Sequence, residues 1–224
     1  MKTYAIIPAA GIGKRITSEI PKQFIKVNGK EIIAYTLELF QQCTAVDEII
    51  IAASKDYFDL LNSIKEKCSI TKLSRIVEGG KERQDSVYAA LKSIPGKDDD
   101  ILIIHDAARP LLNKNLLSAA IDSAKEIGSV VVAIRAKDTL IEGSDSVENY
   151  IDRSKIYYAQ TPQIFRYKIL IAAMENAYKN NFIGTDESMI VKMNNQEVKI
   201  VEGNSFNFKI TTDSDLELFK KLLS

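Results

Sequence analysis

The sequence predicts an α/β fold in which a mostly parallel sheet carries helices on both faces and a β-hairpin projects from it. Three observations lead there. Short β-branched runs that are apolar almost without interruption recur along the chain, as strands buried on both faces do. Segments with helical spacing lie between them, and alternating strand and helix gives a parallel sheet. A turn-rich stretch later in the chain breaks this alternation in the manner of a hairpin.

Taken in order, the strands are Tyr4 to Ile7, Glu48 to Ala53 (EIIIAA), Ser74 to Glu78, Ile101 to His105 (ILIIH) and Ser129 to Ile134 (SVVVAI). The helices between them are Ile32 to Gln42, Tyr57 to Lys67, Gln84 to Ser93 and Lys114 to Glu126. From 136 to 160 two short segments, Asp138 to Ile141 and Tyr150 to Asp152, flank the sequence GSDSVEN and form the arm. An isolated hairpin is marginal in water, so the arm is expected to pack against something, most simply a second copy of the chain. Helices from Arg166 to Lys179 and Asp186 to Met193 follow, then strands near Val198 to Val201 and Phe208 to Ile210. The last helix spans Asp213 to Leu223, with Thr212 as its cap and Asp213 and Asp215 in its first turn.

The 224 residues, 46% of them hydrophobic, suffice for one domain over 1–224 with a full core. Thirty basic side chains balance thirty acidic ones, so no global field favours nucleic acid or an anionic membrane. No apolar stretch approaches the length of a signal-peptide core or a membrane span, and a cytosolic protein is expected. Cys43 and Cys68 are isolated and read as reduced, packed thiols. The single histidine, His105, excludes multi-histidine zinc sites and leaves at most one imidazole for proton transfer. On an extended segment its side chain points away from that of Asp106, which favours a packing role.

The stretch Pro8 to Lys22, PAAGIGKRITSEIPK, carries the main functional signal. Small residues let backbone N–H groups approach a ligand, and phosphate suits such groups. Lys14, Arg15 and Lys22 could hold a polyphosphate through its reaction. Two familiar readings fail. The dinucleotide fingerprint needs a small residue three after Gly13, where Ile16 stands, and the Walker loop needs a hydroxyl residue after Gly13-Lys14, where Arg15 stands. A nucleotide loop of another kind remains, beside the plainer possibility of a strand-to-loop turn with solvated bases.

In His105 to Pro110, HDAARP, Asp106 just past a strand end could hold magnesium on a phosphate chain, and Arg109 could pair with an anion; a capping aspartate and a surface arginine are the alternative. Glu78 to Val87, EGGKERQDSV, sets Gly79 and Gly80 where a flat base could lie on the backbone, with Ser86 offering a hydroxyl; a plain loop and helix start would look the same. Thr161-Pro162-Gln163, Thr185-Asp186-Glu187 and Lys209-Ile210-Thr211 combine hydroxyls with charge or a rigid turn. Spacing alone makes none of them catalytic. Thr185 could cap the helix at Asp186, and Thr211 the last helix.

Together and in this order, PAAGIGKR, PKQF, GGKERQDSV, HDAARP, QTPQ, TDE and KIT resemble the cytidylyltransferases that make CDP-sugar alcohols, over essentially the whole chain. Pro8-Ala9-Ala10-Gly11 and Ala107-Ala108 favour the branch that uses 2-C-methyl-D-erythritol 4-phosphate in non-mevalonate isoprenoid synthesis. The ribitol-5-phosphate branch tends to carry an AGG loop and an HDSVRP-type segment. The resemblance implies a Rossmann-like domain, a homodimer clasped by the 136–160 arm, CTP as co-substrate, a sugar-alcohol phosphate as acceptor, and Mg2+ or another divalent cation. Carried over by motif, Arg15 and Lys22 would be the catalytic cations. Pro8, Ala9, Ala10, Gly11, Gly13, Gly80 and Ser86 would bind the nucleotide, and Asp106 the metal. Arg109, Thr139, Arg153, Thr185 and Lys209 would line the acceptor site, with Thr139 and Arg153 serving the neighbouring subunit. Two positions depart from the family pattern: Ile16 replaces a methionine, and Lys81 stands where relatives often carry an acid.

Overall fold

The computed structural model describes residues 1–11, 16, 18 and 20–223. Its centre is a seven-stranded sheet in the order β11-β7-β10-β6-β1-β4-β5. The strands are β1 (Thr3–Pro8), β4 (Glu48–Ala53), β5 (Leu73–Glu78), β6 (Ile101–Ile104), β7 (Ser129–Arg135), β10 (Tyr157–Arg166) and β11 (Lys199–Glu202). All neighbours run parallel except β10, which is antiparallel to both β6 and β7. A two-stranded ribbon, β2 (Lys26–Val27) with β3 (Lys30–Glu31), turns at Asn28-Gly29, where both residues take the positive φ that a tight hairpin turn requires.

Alternate residues of each central strand enter opposite cores, as the two-residue repeat of a strand dictates. Ile7, Ile49, Ile51, Ile101 and Ile103 meet α1 (Ile32–Gln42), α2 (Phe58–Lys67) and α4 (Lys114–Ile127). Ile6, Ile50, Leu102 and Ile104 meet α3 (Arg83–Lys92), α5 (Tyr167–Lys179) and α6 (Glu187–Met193) on the other face. Both faces being covered explains the unbroken apolar strands. α4 is bounded by local chemistry: Asn113 accepts from the amides of Asn115 and Leu116, and Gly128 closes the helix in the left-handed region.

A third, smaller cluster sits beyond the carboxyl edge of the sheet. There α7 (Asp213–Leu222) packs Leu216 and Phe219 against Val27 and Ile32, and Ile16 is buried with them. Thr212 and Asp215 form a reciprocal capping box for α7, so the cap is Thr212 and not Thr211. Asp186, not Thr185, caps α6 by accepting from the Met189 amide.

Two expectations need correction. Phe208 to Ile210 is not a strand; the Ile210 amide bonds to the Ala108 carbonyl at 2.9 Å, and the segment crosses the sheet edge as a loop. The arm was expected to reach 160, but the chain re-enters the sheet at Tyr157 as β10. Polar Gln160, Thr161 and Gln163 around Pro162 do not look like a central strand, and a register shift between Ala159 and Gln163 accommodates them. The arm is thus β8 (Leu140–Gly143) paired with β9 (Val147–Ile151), and every residue from 141 to 155 is exposed. Among the described residues, no helix is long and apolar enough to cross a membrane.

Candidate active site

The chain leaves β1 to one side for β4 and β5, then returns to the other side as β6. Ligands in such sheets sit beyond the strand ends at this reversal. A cavity of about 200 Å³ lies there. Pro8, Ala9, Ala10 and Gly11 line it after β1, Gly80 to Arg83 with Ser86 after β5, and Asp106 to Ala108 after β6; Lys22, Gln23 and Lys209 complete it. A second cleft adjoins, lined by Arg109, Gln160, Thr161, Gln163, Thr185 and Asp186. Arg83, Asp106 and Lys209 line both.

Close approach shapes the first of these cavities. A Cβ at Gly79 would lie 2.5 Å from the Ala10 side chain and 3.0 Å from Ser86 Oγ, and one at Gly80 would lie 2.2 Å from Asp85. Only glycine lets the loops after β1 and β5 come together. Ser86 Oγ accepts from the Gly80 amide at 3.2 Å and donates to the Glu82 carbonyl at 3.2 Å, which leaves its second lone pair for a ligand. Glu82 and Asp85 form a capping box at the start of α3.

Asp106 is the electrostatic centre. It is buried, with Arg83 Nε at 3.3 Å from one oxygen, and Arg109 Nε and Lys209 Nζ each at 3.1 Å from the other. Burial alone would raise its carboxyl pKa; the charges of Arg83, Lys209 and Arg109 outweigh this and hold it well below the carboxylate range. Behind it, Thr161 Oγ1 accepts from the Asp106 amide at 3.0 Å and meets His105 Nδ1 at 3.1 Å. His105 Nε2 lies 3.1 Å from the Arg109 carbonyl. A carbonyl only accepts, so Nε2 carries the proton and Nδ1 receives the Thr161 hydroxyl. Burial pushes the imidazole down to about 4. His105 therefore stays neutral and shapes the Asp106 loop, as the packing expectation had it.

Arg83 and Glu187 were missed as site residues. Arg83 Nη1 donates to both oxygens of Glu187, at 2.7 and 2.6 Å, and Glu187 is fully buried. Burial pushes the Glu187 carboxyl up, against the pull of Arg83. In sequence Arg83 is one more charged residue at a helix start, and only its placement under α6 reveals the pairing. The signal that could have found Glu187 is its position just after the Thr185-Asp186 helix start.

Of the residues expected at the site, Pro8, Ala9, Ala10, Gly11, Lys22, Gly80, Ser86, Asp106 and Lys209 share the first cavity, and Arg109 and Thr185 line the adjoining cleft. Gly13 and Arg15 lie outside the described residues. Thr139 and Arg153 are exposed on the arm and line neither cleft; Arg153 Nη1 donates to the Lys137 carbonyl. Among the described residues no three His, Cys, Asp or Glu side chains group as a metal cage. Magnesium needs only one or two carboxylates when phosphates supply the rest, and Asp106 provides one facing the cavity. The donor set fits a phosphate-bound divalent cation and not a protein-only site. Lining the first cavity, Lys22, Lys81, Arg83 and Lys209 outnumber two carboxylates, Glu82 and Asp106, an excess of positive charge suited to a polyphosphate.

Residues 3–224 match the family described as IspD, 2-C-methyl-D-erythritol 4-phosphate cytidylyltransferase. A protein of that name from Clostridioides difficile is 42% identical over 98% of this chain and 92% of its own. A ribitol-5-phosphate cytidylyltransferase from Streptococcus agalactiae is 36% identical over 99% of this chain and 95% of its own. The crystal structure of the Francisella tularensis 2-C-methyl-D-erythritol 4-phosphate cytidylyltransferase superposes with a TM-score of 0.83 at 33% identity, covering 99% of both chains. Matched by the family model over nearly its whole length and similar in sequence and in overall structure to these relatives, this chain belongs to the 2-C-methyl-D-erythritol 4-phosphate cytidylyltransferase family, a family of nucleotidyltransferases.

Proposed function

We propose that the protein transfers CMP from CTP to 2-C-methyl-D-erythritol 4-phosphate, giving 4-diphosphocytidyl-2-C-methyl-D-erythritol and pyrophosphate for isoprenoid precursors. One observation carries the reading: two clefts meet at Asp106, one with phosphate-friendly loops and cations, the other with Arg109 and Thr185. The first takes CTP and the second the acceptor. An oxygen of the acceptor's phosphate attacks the α-phosphorus; the new P–O bond forms as the bond to the β-phosphate oxygen breaks, and pyrophosphate leaves with the electron pair.

The nucleophile is already an anion at neutral pH, so no general base is required. This agrees with His105, whose only proton is committed to the Arg109 carbonyl. The barrier is one of bringing anions together and spreading charge, which positioned cations lower. Lys22, and Arg15 from outside the described residues, would meet the charge that builds on the transferring group. Lys209 and Arg109 would receive the acceptor phosphate. Asp106 would hold a divalent cation, which when bound neutralises phosphate charge. Work in the cytosol, where CTP is available, fits this chemistry.

The arm supports a homodimer. Ile141, Val147, Tyr150 and Ile151 are exposed on it, and a second copy would cover them. Thr139 and Arg153 would then reach the partner's acceptor cleft.

Ribitol 5-phosphate is the second reading, favoured by the Streptococcus agalactiae relative. Pro8-Ala9-Ala10-Gly11 and Ala107-Ala108 favour the first. The deciding experiment supplies CTP and magnesium with each acceptor and measures pyrophosphate. Faster release with methylerythritol phosphate is expected; faster release with ribitol 5-phosphate would reassign the enzyme.

A further inference from the structure

The two clefts share a charge cluster: Arg83 and Asp106 line both, and Glu187 lies fully buried against the partly buried Arg83. Arg83 is the first residue of α3 and Glu187 the first of α6. The guanidinium lies between two carboxylates, with Nε 3.3 Å from Asp106 and Nη1 forked onto Glu187 at 2.6 and 2.7 Å. Its Nη2 is buried with no hydrogen-bond partner among the described residues. A buried ion pair is weak support for stability, because a well-packed apolar pair of similar volume often does as well or better. An arginine that leaves one donor unused at such a place is costly as mere packing.

The two sides depend on this cluster unequally. The loop after β5 is held by its own bonds, from Ser86 to Gly80 and Glu82 and through the capping box of Glu82 with Asp85. The segment leading into α6 is held from outside. Gln84, also on α3, accepts from the Gly184 amide at 2.9 Å and donates to the Phe182 carbonyl at 3.1 Å, and Gln163 on β10 bonds Asp186 and the Ser188 amide. Among the described residues, Arg83 supplies the ion pair that ties this segment, and it also reaches Asp106.

We propose that Arg83, held by Glu187, is a positioning residue that sets the acceptor half of the site against the nucleotide half and aims the Asp106 carboxylate between them. This rests on the assignment of the two clefts to CTP and acceptor. Planar guanidinium is suited to the role because its fork fixes two carboxylates at once, which an ammonium does not.

The test is the double variant Arg83→Met/Glu187→Met, which removes both charges together and so avoids stranding either one. Its steady-state kinetics are measured against the parent with CTP and with both acceptors, alongside its thermal midpoint. The expected result is a folded protein with kcat/KM for the acceptor lowered about a hundredfold, the scale of a small misplacement of reacting groups, and KM for CTP raised by less than about tenfold, since Arg83 also lines that cavity. Unchanged acceptor kcat/KM in the folded double variant, beside an active parent, overturns the positioning role alone. A parent that releases pyrophosphate with neither acceptor overturns the cleft assignment and this proposal with it. Should the double variant not fold, Arg83→Lys keeps the charge and loses the fork. A loss of at least about tenfold in acceptor kcat/KM supports the role, and no loss overturns it.

Discussion

The side-chain amide of Gln23 donates to the carbonyl of Ala9 at 2.6 Å, from a position buried beside the cavity. The same amide bonds the Gly11 carbonyl at 2.9 Å. One side chain thus fastens the turn after β1 to the short helical turn Lys22–Phe24 that presents Lys22.

Gln23→Leu leaves two carbonyls without their donor while keeping an apolar volume in place. The Ala9 carbonyl is the buried one, while Gly11 is exposed to water; an unmade bond at a buried group costs roughly 1–3 kcal/mol, so a loss of about 2 kcal/mol in urea unfolding is expected. KM for CTP should rise about tenfold with the acceptor KM little altered, since the turn lines only the CTP cavity. Equal effects on both substrates would show that Gln23 does not act through this turn.

Lys22→Ala should lower kcat by roughly two to four orders of magnitude, as removal of one preorganised charge from a phosphoryl site does. Binding of CTP, followed by calorimetry, should weaken far less, because the loop amides and Ser86 remain. Turnover within tenfold of the parent would remove Lys22 from the reaction.

The arm is tested by Tyr150→Glu, at a side chain 74% exposed in the single chain. A buried charge at a subunit contact is costly, so light scattering at micromolar concentration should find a dimeric parent and a monomeric variant. Arg153→Ala should raise the acceptor KM and spare that of CTP. A monomeric parent would refute the arm's role outright.

Much of the fold is legible because the strand stretches from 49 to 53, 101 to 104 and 130 to 133 are buried on both faces and built wholly of apolar residues. The loops carrying Gly79, Gly80 and Asp106 were legible for a related reason: each follows directly on such a strand. β10 was not, because Gln160, Thr161 and Gln163 are polar yet buried, satisfied by Asn204, His105, Asn207, Asp186 and Ser188 from distant parts of the chain. Partners so far away leave no local pattern. Arg83 and Glu187 escaped for the same reason, being 104 positions apart and adjacent only once α6 lies over the start of α3.

His105 sets the response to acid. It is fully buried and neutral, with Asp106, Arg109 and Arg83 as its charged neighbours and the Phe40 ring packed edge-on, the ring centroids 5.2 Å apart. The unfolded chain takes up the imidazole proton near the ordinary value of about 6.5, the folded protein only near 4. The unfolded state therefore binds more protons throughout that window, and stability falls as pH falls through it. Asp106 does not share the window: its folded pKa is far lower, so its contribution is complete above an unfolded value of about 3.9 and declines only below that. Glu187, with its pKa raised, works in the opposite sense, losing stability as pH rises, and is common to parent and variant. As His105 is the only histidine, the difference in urea stability between the parent and His105→Gln isolates it. That difference should shift by about 2 kcal/mol in the variant's favour between roughly pH 7 and pH 4.5. Parallel stability curves over this range would mean that the imidazole is protonated in the folded protein, and the Nε2 proton could no longer be assigned from the Arg109 carbonyl.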